Sequence, residues 1–308
     1  MIPTAPNFVV FAGTSHPELS KEVAKNLKVK LGKISIQRFP DQEIFLEVLE
    51  DVSNKDVYVI QSLAFAPNEY LMELLIMVDA LKRASARRIT AVIPYYGYCR
   101  QDRQDKPQVP ITAKLVADLL QKAGVACIIA ADLHAGQVQG FFDIPVINLQ
   151  CMPLLAKVFR KFETDKLVVV TPDVGSIKLG RDYANHLNVG FAVVNKQRLK
   201  AGEVEALQVI GDVKGKDVLL ADDMCSTGET LTSAAKACRE KGAKRIWASM
   251  THGLFVGEAL PLINQSCIEA LITTNTVPFK GLAEKTTKNV HVASAAPLFA
   301  RAILNLAT

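Results

Sequence analysis

Short apolar runs alternate along the chain with longer segments whose apolar positions recur at helical spacing. Phe8 to Ala12 is a continuous apolar run, and Ser15-His16-Pro17-Glu18 predicts a helix start with a capping box just after it. Val57 to Ile60 predicts a buried strand, Asn68 to Ala84 a helix and Ile89 to Ile93 the next strand. Thr112 to Lys122 predicts a helix that leads to a strand over Ala126 to Ala131. The second half keeps the rhythm. Strands are predicted over Leu167 to Val170, Phe191 to Val194, Val218 to Ala221 and Ile246 to Met250, with helices over Ile177 to Leu187 and Leu231 to Lys241. Strands this short and apolar, alternating with helices, imply an α/β protein whose sheets are mainly parallel and covered on both faces.

One stretch occurs twice. Val57-Tyr58-Val59-Ile60-Gln61-Ser62 opens a strand, a loop and a long helix, closing on Ala86-Arg87-Arg88-Ile89 and another strand. Val218-Leu219-Leu220-Ala221-Asp222-Asp223 opens the same series, closing on Ala243-Lys244-Arg245-Ile246. The starts lie 161 residues apart and the ends 157, so the first copy carries about four extra residues. This predicts two duplicated domains, one over residues 1–149 completed by 291–308, the other over 150–290. The copies differ where ligands of parallel sheets bind: Asp222-Asp223 stands in the second where the first has Gln61-Ser62.

Charge narrows the partners. Lys+Arg 36 against Asp+Glu 31 gives +5, spread along the chain, which suits anionic small molecules at least as well as a polymer and argues only weakly for nucleic acid. The most apolar helix, Tyr70 to Ala84, is interrupted by Glu73 and Asp79, so no membrane span is expected. Met1 to Phe11 lacks the basic start and cleavage site of a signal peptide, and a cytoplasmic protein is expected. The six cysteines form no C-x-x-C pair, which argues against a zinc or redox site, and no structural disulfide is expected.

The most informative segment runs from Val218 to Thr230. An apolar strand ends in Asp222 and Asp223, then Ser226-Thr227-Gly228-Glu229-Thr230 turns into a helix. Amides at a helix N-terminus suit a phosphate, Gly228 allows close approach, and the hydroxyls of Thr227 and Thr230 add donors. Paired acids cannot favour a phosphate directly, but they can accept hydrogen bonds from sugar hydroxyls. A plain alternative is a capped helix with Ser226 or Thr227 as cap, though capping does not call for paired acids. The segment resembles the ribose-phosphate-binding motif of the type I phosphoribosyltransferase fold.

Further segments occur in a fixed order: Phe39-Pro40-Asp41-Gln42-Glu43, Glu73 to Ser85, Arg100 to Asp105, Asp132 to Ala135 with Gln139 to Pro145, Pro172-Asp173, and Asn195-Lys196-Gln197-Arg198. Together they resemble the ribose-phosphate pyrophosphokinase family over nearly the whole chain. The resemblance implies two phosphoribosyltransferase-like domains. It implies transfer of the β,γ-pyrophosphoryl group of ATP to the 1-hydroxyl of ribose 5-phosphate. No G-x-x-x-x-G-K-[ST] or G-x-G-x-x-G loop is present to hold ATP. The resemblance instead assigns ATP to Arg100, Gln101 and Asp105, and to Phe39, Asp41 and Glu43 from a neighbouring subunit, so self-association with a shared ATP site is implied. It assigns ribose 5-phosphate to Asp222, Asp223, Ser226, Thr227, Gly228, Glu229 and Thr230, and Mg2+ to His134 and Asp173. Lys196 and Arg198 stand two apart, which in an extended chain puts both on one side, and Ala201-Gly202-Glu203 suggests a loop beyond them. The resemblance makes Lys196 and Arg198 the catalytic pair that offsets charge on the transferred group.

The chain also departs from the family pattern. Ser226 stands where the best-known members have a third acid, and Glu229 where they have glycine. Pro107 and Gln108 replace the Ser-Arg of regulated members, which implies weak ADP control. Two rivals stay open: a phosphoribosyltransferase, which leaves Arg100 to Asp105 and Lys196 unexplained, and a non-catalytic regulatory relative of the synthetase.

Overall fold

In the computed structural model, described over residues 7–197, 206–279 and 286–307, strand β1 (Phe8–Ala12) leads into helix α1 (Pro17–Leu27). A hairpin of β2 (Ile34–Arg38) and β3 (Ile44–Val48) follows, then β4 (Asp56–Ile60), α2 (Pro67–Arg83), β5 (Arg88–Ile93), α3 (Thr112–Ala123), β6 (Cys127–Ala131) and β7 (Val146–Leu149). Next come α4 (Met152–Phe159), β8 (Val168–Thr171), α5 (Ile177–Leu187), β9 (Gly190–Gln197), β10 (Ala206–Ile210) and β11 (Val218–Cys225). The last elements are α6 (Glu229–Glu240), β12 (Ile246–Gly253), α7 (Ala259–Gln265), β13 (Ala270–Thr274), β14 (Asn289–Ala293) and α8 (Ala296–Ala307).

The chain forms two compact units. The first is Met1–Gln150 with Thr276–Pro278 and Ser294–Thr308; the second is Cys151–Asn275 with Phe279–Ala293. In the first, a parallel sheet runs in the order β1-β4-β5-β6-β7, with β2 and β3 as a separate antiparallel pair. Every residue of β4 and β6 is buried, which is why these strands read as unbroken apolar runs rather than alternating ones. Phe11, Val59, Leu74, Met77, Ile93 and Leu120 belong to the core of this unit. In the second, the order is β10-β9-β8-β11-β12-β13-β14, parallel except for β10, which pairs antiparallel with β9. Its core includes Val170, Leu220, Ala234, Met250, Ile263 and Leu271.

The duplication has a physical signature. Buried Asp56, at the start of β4, receives Arg87 Nε at 3.0 Å and Nη2 at 2.9 Å, and Arg88 Nη2 at 3.1 Å, all from the start of the next strand. Buried Asp217, one residue before β11, receives Arg245 Nε at 3.1 Å and Nη2 at 2.5 Å from one residue before β12. The two acids are 161 residues apart, the same offset as the repeat itself. The extra residues of the first copy sit in α2, which has 17 residues against 12 in α6.

Asp217 gives a pH prediction. Burial alone would raise its carboxyl, but the Arg245 guanidinium and the Asp165 amide (2.8 Å) outweigh burial and hold it below the ordinary value of 3.8. Its stabilisation is therefore complete above that value and is lost as pH falls through the lower folded one. Trp247, the single tryptophan, lies 5.0 Å beneath the Arg245 guanidinium and reports on this unit. Asp217→Asn is expected to cost about 1–3 kcal/mol at neutral pH. Urea melts followed by Trp247 fluorescence should show the gap between variant and parent shrinking below about pH 4. A constant gap down to pH 3 would remove the ion pair from the explanation.

At the start of α1 the predicted capping box does not form. His16 takes the cap, its Nδ1 accepting from the Leu19 amide at 3.4 Å, and Ser15 Oγ instead accepts from the Ser62 amide at 2.8 Å. None of the six cysteines is joined in a disulfide. Among the described residues no helix is long and apolar enough to cross a membrane.

Candidate active site

In the second unit the chain turns in opposite directions from two adjacent strands: β8 leads by α5 to β9 on one side, and β11 leads by α6 to β12 on the other. Parallel sheets bind ligands in the crevice at the carboxyl ends of such a strand pair. β8 pairs with β11 only from Val168 to Val170, opposite Val218 to Leu220, while β11 continues beside β12 to Cys225. Asp222 and Asp223, predicted to follow the strand, are therefore part of it, beyond the reach of β8.

The loop after β8 faces this extension. Asp173 Oδ1 accepts from the amides of Gly175 at 2.8 Å and Ser176 at 3.2 Å, which folds the loop back on itself. Ser176 Oγ donates to Asp222 Oδ1 at 2.7 Å, and the Asp223 amide donates to the same oxygen at 2.9 Å. Loss of solvation raises the Asp222 carboxyl well above the usual range, and the charges of Asp223 and Asp173 push the same way; the Ser176 hydroxyl opposes them.

After Cys225 the chain turns through Ser226 and Thr227 to Gly228, which caps α6 in the left-handed region at φ 81°. A Cβ there would sit 3.2 Å from the Ala259 carbonyl oxygen, and L-residues rarely adopt that backbone, so the position calls for glycine. No side chain caps α6, so neither the Ser226 nor the Thr227 hydroxyl takes up its first amides. Those amides are the donors that a helix N-terminus offers an anion. Thr227, Glu229 and Thr230 are exposed and Ser226 is half-buried. The Cys225 thiol is pushed up to about 12, chiefly by burial, and is no thiolate at neutral pH.

In the first unit, Phe39, Asp41 and Glu43 form the tip of the β2–β3 hairpin. The Phe39 amide donates to the Glu43 carbonyl at 2.9 Å, and the Glu43 amide to Asp41 Oδ1 at 3.2 Å. The Phe39 ring is 48% exposed and touches Phe45, with centroids 5.7 Å apart, so a flat face stands open to a planar ligand. Arg100, Gln101 and Asp105 are exposed on the segment before α3. Gln101 does structural work as well: its carbonyl takes the Ala113 amide at 3.1 Å and its Oε1 the Thr112 hydroxyl at 2.5 Å. His134 is exposed in the loop after β6.

Each predicted group thus finds its place within one unit. Asp173, Asp222, Asp223 and the turn at Gly228 converge in the second; the hairpin tip, the Arg100 segment and His134 belong to the first. Lys196 lies in β9, its backbone opposite Leu207, and Arg198 falls outside the described residues. Ser176 was not singled out in the sequence. Its signal was the repeat spacing, since it stands 161 residues after Ser15, whose amide bonds Gln61 Oε1 at 3.2 Å, and Asp222 stands 161 after Gln61.

Comparison with known proteins identifies the family. A profile described as the N-terminal domain of ribose phosphate pyrophosphokinase matches residues 8–124, and one described as a phosphoribosyl synthetase-associated domain matches 198–306. The ribose-phosphate pyrophosphokinase of Chromobacterium violaceum is 46% identical over 96% of this chain and 91% of its own length. That of Clostridium perfringens is 48% identical over 96% and 93%. The crystal structure of phosphoribosylpyrophosphate synthetase from Mycobacterium smegmatis superposes with a TM-score of 0.92 at 40% identity, covering 97% of this chain and 98% of that one. Similarity of this extent, running through both copies of the duplicated fold, means that the chain belongs to the ribose-phosphate pyrophosphokinase family.

Proposed function

We propose that this protein transfers the β,γ-pyrophosphoryl group of ATP to the 1-hydroxyl of ribose 5-phosphate, giving 5-phosphoribosyl 1-pyrophosphate and AMP. The observation that carries this reading is the β8–β11 crevice, where two adjacent acids on one strand lead into a left-handed glycine turn and an uncapped helix N-terminus. A sugar phosphate matches all three parts. Its phosphate takes the amides and hydroxyls from Ser226 to Thr230, and its ring hydroxyls donate to Asp222 and Asp223. The anomeric oxygen attacks the β-phosphorus in line, and AMP leaves.

ATP is assigned to the first unit. Phe39 stacks on adenine while Asp41 and Glu43 accept from its amine, in a site shared with a neighbouring subunit of a cytoplasmic homo-oligomer. Arg100 grips phosphate, and Gln101 offers its Nε2, because its Oε1 already holds Thr112. Asp105 completes this set. Lys196 and Arg198 neutralise charge on the group in transfer.

Mg2+ fits the donors present. Among the described residues no group of three or more His, Cys, Asp or Glu is arranged as a metal cage. Magnesium needs none, since it keeps several waters and binds through one or two carboxylates and the substrate phosphates. Asp173 is suited to this, because both loop amides bond its Oδ1 and leave Oδ2 for a cation; His134 is the second candidate, directly or through water. When bound, the ion offsets phosphate charge.

The test is to incubate the pure protein with Mg-ATP and ribose 5-phosphate. AMP and phosphoribosyl pyrophosphate should form in equal amounts. Binding without AMP release would point to a regulatory relative, and consumption of phosphoribosyl pyrophosphate with a purine or pyrimidine base to a transferase.

A further inference from the structure

We infer that Ser176 is a positioning residue for the sugar, acting through Asp222. The inference rests on the synthetase reading above and adds a residue to it. Ser176 touches no proposed substrate group itself. Its hydroxyl, 2.7 Å from Asp222 Oδ1, joins the Asp223 amide on that one oxygen. Two donors on Oδ1 fix the plane of the carboxylate, whose side chain also meets that of Asp223, and we assign the ribose hydroxyl to Oδ2.

The serine is itself held. Its amide donates to Asp173 Oδ1, and it is the residue from which α5 starts. The hydroxyl therefore presents from a closed loop, not from a swinging side chain. Electrostatics point the same way. Burial and the charges of Asp223 and Asp173 all work against an ionised Asp222, and the Ser176 hydroxyl works for it. A carboxylate that must accept a hydroxyl proton in a crowded acidic crevice depends on such a donor.

The first copy carries the same device in a different use. Ser15 stands at the matching position, and its amide and hydroxyl bond Gln61 and Ser62, the counterparts of Asp222 and Asp223. There the partners are neutral and buried, so the contact only holds the loop after β1 to the end of β4. In the second copy the same loop-to-strand contact falls on a half-buried carboxylate at a ligand crevice. A fold contact has become a means of aiming a substrate acceptor.

Steady-state kinetics of the full protein with Mg-ATP and ribose 5-phosphate separate this role from a structural one. Ser176→Ala should raise KM for ribose 5-phosphate about tenfold and leave KM for ATP within about twofold, since the Asp222 contact with the sugar is what it disturbs. Ser176→Thr, which keeps the hydroxyl, should recover most of the loss. A KM for ribose 5-phosphate that stays within about twofold in Ser176→Ala overturns the inference, as does a threonine variant no better than alanine or an equal rise in both KM values. An inactive parent protein would instead overturn the synthetase reading itself, and this inference with it.

Discussion

Replacing Lys196 by alanine is expected to lower turnover by about a hundredfold or more while the fold stays intact. Pyrophosphoryl transfer places little covalent work on the protein, so catalysis rests on position and on charge offset at the group in flight. A lysine ammonium close to that group stabilises the transition state more than the bound substrates. Its loss should therefore appear in kcat, with KM for ribose 5-phosphate nearly unchanged. The backbone offers no reason for unfolding. Lys196 is one residue from the end of β9, opposite Leu207, while the buried part of that strand is Ala192 to Val194. The variant should keep the parent's Trp247 fluorescence melt. Turnover equal to the parent's would take Lys196 out of the mechanism.

Most of the sheet strands were legible because a doubly covered parallel strand must be apolar throughout, and such runs stand out against amphipathic helices. β1 and α5 match their predicted limits, β4 and β5 start one residue earlier, and β8 is shifted by one residue at both ends. Among the strands that were not predicted, β13 is buried throughout and was missed all the same, while others lack this signature. β2 and β3 form a two-stranded hairpin with half-exposed positions, and β14, at a sheet edge, is largely exposed. β9 and β11 run three and four residues past their predicted ends, because polar residues interrupt the apolar run while the backbone stays paired with a neighbouring strand. A hydropathy pattern cannot register pairing that continues through Asn195 or Asp222.

The site divides in the same way. Gly228 was read as a residue that allows close approach, and the fold gives it a reason of its own, a positive φ with the Ala259 carbonyl close by. Ser176 was not, because one serine beside a strand carries no pattern; only its offset from Ser15 does. Gln101 was read as a ligand contact alone, whereas half its side chain is committed to Thr112. Residue type and spacing identify chemistry that repeats across a family, but they do not register hydrogen bonds between segments distant in sequence.

Glu73→Ala is expected to destabilise the first unit by about 1–3 kcal/mol, the range for leaving a buried hydrogen-bonding group unsatisfied. In the sequence Glu73 looks like a polar break in an apolar helix. In the fold it is 1% exposed. Its Oε1 accepts from the Thr14 amide and from Gln61 Nε2, each at 2.7 Å, and its Oε2 from the Thr14 hydroxyl at 2.6 Å. Among the described residues no Lys, Arg or His forms an ion pair with it, so neutral donors alone hold the charge. These donors stand at the carboxyl ends of β1 and β4, where the second unit keeps its ligand crevice. The first copy has thus filled that position with its own carboxylate, which closes the loop after β1 onto Gln61. Alanine would take this acceptor from the buried Gln61 amide and from two donors of Thr14. Glutamine should cost less, about 1 kcal/mol, because its amide oxygen can replace Oε1 while its nitrogen donates to the Thr14 hydroxyl, which rotates to accept. Trp247 lies in the second unit and will not register the change. Hydrogen exchange of the β1 and β4 amides is the measurement that does, and it should show alanine opening these strands far more than glutamine. Equal protection in both variants would mean that the buried carboxylate is not what ties β1 to α2.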